Sequence, residues 1–290
     1  MSLPGRPATP TSRIWINVLW ALLVLAVVAP IAFLANQWTA ASNAARAETA
    51  RERHAVAYLA ALAPLTSELF IAQAFAVRGR ALAFQDLTAA VALVGEVDGQ
   101  WGDELRTHER WTALERAIGD TRGRPFASAD AAAANYHEIV RQLLALHGRV
   151  RDQGGLLSDP GADTHYLAET VATELPATLA AVEEYANGLV LVDVAPPDER
   201  TEPMAEVLSA ADAVTEGGEE ISEFLQLALA QTDSPTLGGD LINQLDTFLQ
   251  TLDLLGTAGP SPRTDATGAD NRRVAVLAAL QRLLRRTLAP

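Results

Sequence analysis

The chain has no cysteine among its 290 residues. That excludes disulfides, thiolate metal sites and cysteine nucleophiles, and it leaves the compartment open. Lysine is absent as well, so all 22 basic residues are Arg. Aromatic residues are sparse at 6%, although apolar residues reach 49%. An apolar fraction drawn from Ala, Leu and Val favours helix over sheet, because Ala and Leu carry the best helix propensities. No run alternates apolar and polar residues long enough to propose a strand, and no short repeat recurs.

Catalytic signatures are also missing. The chain holds no Walker loop, no His-Glu-x-x-His, no Gly-x-Ser-x-Gly and no dinucleotide fingerprint. The five His (His54, His108, His137, His147 and His165) never recur at i, i+4, the spacing that puts two metal ligands on one helix face. His147 falls on a helical seam, where a core imidazole bonded to a polar partner is expected. Glu183 to Glu220 holds eleven acids against the single Arg200, a pattern that fits a solvated face better than an ion site. The expectation is a protein that is not an enzyme, with no metal and no cofactor.

The net charge of −14 is uneven. Residues 1–35 contain Arg6 and Arg13 and no acid, leaving 20 Arg to face all 36 acids in the remainder. So acidic a body is a poor nucleic-acid binder, since phosphate neutralisation drives most of that affinity.

One long uncharged run is present, "IWINVLWALLVLAVVAPIAFL", Ile14 to Leu34. At 1.5 Å per residue it spans roughly 30 Å, the thickness of the hydrocarbon core. Trp15 and Trp38 sit near its ends, where indoles favour the interface. Arg6 and Arg13 precede it and place the N-terminus in the cytoplasm by the positive-inside rule. The organisation expected is therefore a cytoplasmic N-terminus (1–13), a transmembrane helix (14–35) and an extracytoplasmic domain (36–290). A cleaved signal peptide ending near "NAARA" is the rival reading. Its apolar core would be longer than the usual 7–15 residues, and it too exports the body to the far side of the cell membrane.

Helical periodicity dominates the rest. Val56, Leu59, Leu62, Thr66, Leu69, Gln73 and Ala76 form one buried stripe, with Pro64 as a candidate kink. A second segment from about Phe84 meets Gly95, Gly99 and Gly102, read as interruptions, before "ELRTHERWTALERAI" and a break at "GDTRGRP". After the cap candidates Ser128 and Asp130, a seam runs Tyr136, Val140, Leu143, His147, Val150, Gly154 and Leu157, the alternation of packed bundle helices. A fourth helix carries Leu167, Val171, Leu175, Leu179, Val182, Ala186 and Leu189, with Pro176 inside it. "APPDERTEP" breaks the chain. A fifth helix runs through Val207, Ala211, Val214, Gly218, Ile221, Leu225 and Ala228, a sixth through Leu241, Leu245, Phe248, Leu252 and Leu255, and a last through Val276, Leu280, Leu284 and Leu288. The fold expected is all-α: an N-terminal transmembrane helix followed by an elongated antiparallel helical bundle. If the first helix continues from the membrane to Val77 it is about 60 Å long. That length suggests two stacked four-helix modules.

Two stretches carry candidate site residues. In "AVRGR", Arg78 and Arg80 flank a Gly at a helix irregularity and could grip an anion bidentately; a solvated helix end is the plainer reading. In "LLSDPGADTHYLAETV", Asp159-Pro160 ends one helix and Asp163 or Thr164 caps the next. A capped interhelical turn explains Asp159, Pro160, Gly161 and Asp163. It leaves His165 and Tyr166 unexplained, and these join Arg78 and Arg80 as candidate ligand-binding residues.

The longer segment "LLSDPGADTHYLAETVATELPATL" resembles one in the extracytoplasmic sensor regions of bacterial transmembrane receptors, namely methyl-accepting chemotaxis proteins, sensor histidine kinases and diguanylate cyclases. "AQAFAVRG" and "ERWTALERAI" look like the corresponding upstream parts, so the resemblance covers roughly residues 65–179. Asp159, Pro160, Asp163, Tyr166, Leu167, Leu175 and Pro176 match its pattern. His165 stands where the first Tyr of a Tyr-Tyr-Leu is usual, and Glu169 where an Asp is usual. The resemblance implies a helical sensory module of the helical bimodular type and a signal carried to a cytoplasmic output domain. The sequence given ends at "LQRLLRRTLAP", before a second span or an output domain, so a truncated receptor is expected. A small anionic or polar ligand and a homodimer are its expected partners. The alternative is a stand-alone, membrane-anchored helical scaffold that binds a protein partner and no small molecule.

Overall fold

The computed structural model describes residues 48–80, 84–157 and 162–231, together with residue 250. The proposed membrane segment at 14–35, the turn residues Asp159 and Pro160, and, apart from residue 250, the two helices expected near the C-terminus lie outside the described residues. The chain divides into Met1–Ala50 and Arg51–Pro290. Of the first unit only Glu48–Ala50 is described, as the first turn of a helix.

All regular structure among the described residues is helical. The elements are α1 (Glu48–Val77), α2 (Gln85–Trp101), α3 (His108–Thr121), α4 (Ala129–Gly154), α5 (Ala162–Glu169), a π-helical turn (Thr170–Glu174), α6 (Leu175–Val194) and α7 (Thr201–Gln231).

α1 is long and apolar enough to cross a membrane by length and composition, and 61% of its most apolar stretch is buried inside the protein. A core helix meets the same criteria, and the burial shows what its apolar residues do in the fold. Leu59, Leu62, Thr66, Leu69 and Gln73 are all buried, as their 3/4 spacing dictates, while Val56 and Ala76 are partly buried. α1 continues as a helix through Pro64. The carbonyl that loses its donor belongs to Ala60, an exposed residue, so water can take the missing role.

α2 likewise runs through Gly95 and Gly99, which were expected to interrupt it, and stops at Gly102. A helical Gly costs only about 1 kcal/mol, less than the burial of Leu87, Ala90 and Val94 along one face returns. α4 follows its seam closely. Tyr136, Val140, Leu143, His147, Val150 and Gly154 are buried, whereas Leu157 is half-buried beyond the helix end. Ser128 caps it, its Oγ accepting the Ala131 N–H at 3.1 Å. Gly154 lets α4 come close to α1, since a Cβ there would overlap the Cβ of Ala55.

α5, the π turn and α6 form one uninterrupted helical run. The Leu175 N–H donates to the Thr170 carbonyl, five residues back, instead of the usual four. Pro176 accounts for this: it has no N–H, and its ring crowds the carbonyl four residues before it. Widening the preceding turn relieves that clash. α6 packs along α7, which also covers α5, while α4 contacts both α6 and the π turn. One main core joins α1 to α4, the π turn, α6 and α7, and a smaller cluster of Tyr185, Val207 and Ala210 pins α6 to the start of α7.

Candidate functional site

The "AVRGR" stretch is a helix C-cap. Gly79 takes φ +63°, the left-handed region that favours glycine. The Gly79 N–H donates to the Ala76 carbonyl at 3.0 Å, and the Arg80 N–H reaches back to the Phe75 carbonyl at 2.8 Å. This pair of bonds is a Schellman motif. The cap throws its two arginines in different directions. Arg78 is half-buried, and its Nη1 donates to the Ala74 carbonyl at 3.1 Å and to Asn187 Oδ1 on α6 at 3.2 Å. Arg80 is exposed.

Both arginines line a cavity of about 620 Å³ between the end of α1 and the start of α4. Its other walls are Phe84 ahead of α2, Thr121 at the end of α3, the connection Gly123 to Ala127, and Ser128, Ala129 and Tyr136 of α4. A third guanidinium therefore enters from Arg124, which sequence reasoning missed. Arg124 sits in the "GDTRGRP" break, held by its N–H to the Thr121 carbonyl at 3.1 Å, and only the fold brings it to the same cavity as Arg80. Phe126 and Tyr136 face each other across one wall, ring centres 6.1 Å apart. Burial pushes the Tyr136 hydroxyl up to about 12, so it stays a neutral hydrogen-bond donor. The pocket thus combines positive charge, the positive end of α4 and aromatic surface, a combination suited to binding an anion.

His165 and Tyr166 are elsewhere. Both are half-buried in α5, and neither lines the arginine cavity. Tyr166 stacks on Phe224 of α7 with ring centres 6.0 Å apart, and His165 meets the Tyr166 ring edge-on at 5.5 Å. The four candidate ligand residues therefore fall at two places. Asp163 is the second residue of α5, within its first turn instead of ahead of it.

Next to Tyr166 lies an ionic cluster on the π turn. Arg151 Nη1 donates to Thr173 Oγ1 at 2.6 Å and pairs with Glu169 at 3.4 Å. The Glu174 carboxyl is pushed up to about 7, first by burial and then by its hydrogen bond to Glu220 and the negative charge there.

A second polar cluster ties α1, α2 and α3 together. The Asp98 carboxylate is buried and accepts from Tyr58 Oη at 2.9 Å and Thr107 Oγ1 at 2.7 Å, while its second oxygen meets His108 Nδ1 at 2.7 Å. That bond, then the Asp98 charge, raises the His108 imidazole above its ordinary value. The partners lie on three elements, so no local spacing could have announced them.

His147 is the core imidazole its seam position suggested. Its Nε2 meets Thr66 Oγ1 at 3.3 Å. Thr66 gives its own proton to the Leu62 carbonyl at 2.9 Å, so the imidazole is the donor to Thr66. Burial alone holds this ring down at about 4. Among the described residues no group of three His, Asp or Glu side chains is arranged to hold a metal ion.

Compared with family models, with curated proteins and with solved structures, the chain matches none.

Proposed function

We propose that the chain is the extracytoplasmic sensory module of a bacterial signal-transduction receptor, held to the cell membrane by residues 14–35 and binding a small anionic or polar ligand. The arginine cavity carries this reading. Arg78, Arg80 and Arg124 converge there on an aromatic-walled space at the N-terminus of a 26-residue helix. The resemblance of residues 65–179 to receptor sensor regions supports it independently. In this reading the helices form an elongated antiparallel bundle, arranged as two stacked four-helix modules and paired as a homodimer. Ligand binding favours one packing of that bundle over another, and the shifted population is the signal. Arg78 links the two events, because it lines the cavity and also bonds Asn187 on α6.

Thermal shift of the full chain in detergent against small carboxylates, amino acids and nitrate tests the reading. At a hundred times its dissociation constant a ligand adds about 2.7 kcal/mol to stability. A binder therefore raises the melting temperature by several degrees. If no compound does so, the scaffold alternative replaces the sensor.

A further inference from the structure

The walls of the arginine cavity say more than that its ligand is charged. Phe84, Phe126 and Tyr136 are among its lining residues, and Phe126 and Tyr136 sit at 6.1 Å with their planes inclined by 51°, so that aromatic carbon is part of the wall. Positive charge comes from exposed side chains of the same lining, Arg80 and Arg124, that can swing onto a guest without breaking the fold. Arg78 is already committed to Ala74 and Asn187. At the start of α4 the Ser128 hydroxyl satisfies the Ala131 N–H, while the amides of Ala129 and Asp130 have no carbonyl within the helix to reach. An inorganic anion would use the charge and leave the aromatic wall wetted. A neutral aromatic would use the wall and leave two guanidiniums without a counter-charge.

We infer that the cavity between α1 and α4 takes an aromatic carboxylate, its carboxylate on Arg80, Arg124 and the first turn of α4 and its ring among Phe84, Phe126 and Tyr136. This rests on the sensory reading and narrows it. A cavity of about 620 Å³ exceeds the volume of a single benzoate, so ring substituents are tolerated.

The test is calorimetric titration of the full chain in detergent with benzoate, acetate, benzamide, inorganic phosphate and nitrate. Benzoate is expected to bind at least tenfold more tightly than any of the others. Arg124→Ala and Phe126→Ala should each weaken it at least fivefold, with unchanged helical circular dichroism as the check on folding; Arg80→Ala provides a second cationic variant. Acetate, phosphate or nitrate binding as tightly as benzoate, and losing affinity in Arg124→Ala, overturns the aromatic assignment while the anion-sensing reading stands. Benzamide matching benzoate overturns the role of the arginines. Benzoate binding unchanged in all three variants moves the site elsewhere and overturns the inference. Binding by no probe, here or in the thermal-shift panel, overturns both.

Discussion

At the scale of single residues, the protein is held by polar side chains placed deep among apolar ones. The Asp98 carboxylate works because Tyr58, Thr107 and His108 satisfy it from three directions. His147, buried in the core, ties stability to pH. Its folded value, about 4, lies below the ordinary 6.5, so the folded state resists taking the proton that the unfolded chain accepts. The stability this group contributes is complete above about 6.5 and is lost as pH falls towards 4. A shift of that size corresponds to about 3 kcal/mol. Chemical denaturation followed from pH 7 to 4 should show this loss, and His147→Leu should flatten it; an unchanged pH slope would mean that other groups control acid unfolding. His147 was readable as a core imidazole because it interrupts an unbroken seam. The Asp98 cluster was not readable, because Tyr58 and His108 lie 40 and 10 positions from Asp98 and belong to different helices.

At the scale of elements, periodicity predicts burial well and glycine predicts interruption poorly. The seams of α1, α4 and α7 emerge nearly as spaced, since 3/4 alternation leaves one face to bury, whereas α6 is buried on almost every side from Leu175 to Gly188. Gly95 and Gly99 did not break α2, where tertiary burial outweighs a modest propensity cost. Pro176 was visible in the sequence, but its consequence was not. It sets a π turn between α5 and α6, and that turn carries Glu174 beside Glu220. Pro176→Ala should allow the regular four-residue bonding to close. Hydrogen exchange of the amides from Thr170 to Leu175 should then slow about tenfold, equivalent to about 1.4 kcal/mol. No change in their exchange would separate the π turn from the proline. The change should also rotate α5 about its axis and shift Tyr166 on Phe224, one of the contacts between α5 and α7.

At the scale of the whole molecule, composition made the all-helical class legible, and a strongly negative body argues against nucleic acid as a partner. The candidate site was legible only in half. Arg78 and Arg80 stand two positions apart in the sequence, whereas Arg124 and Phe126 reach the cavity through the α3–α4 connection and Phe84 and Tyr136 from ahead of α2 and from within α4. The apolar content of α1 is accounted for by the core, so the proposed anchor rests on Ile14 to Leu34 and needs its own test. The absence of cysteine makes one available. A single cysteine at the exposed position Leu93 should react with a membrane-impermeant maleimide in intact spheroplasts. Protection until the cells are lysed would put the body in the cytoplasm and remove the receptor topology.

The central claim is that the arginine cavity is a ligand site. It is tested most directly by the melting temperature of the full chain with each anion of the panel, measured in parallel on the Arg80→Ala/Arg124→Ala double variant. A rise of several degrees in the native chain that disappears in the double variant is the expected result. The same rise in both proteins, or no rise in either, would contradict it.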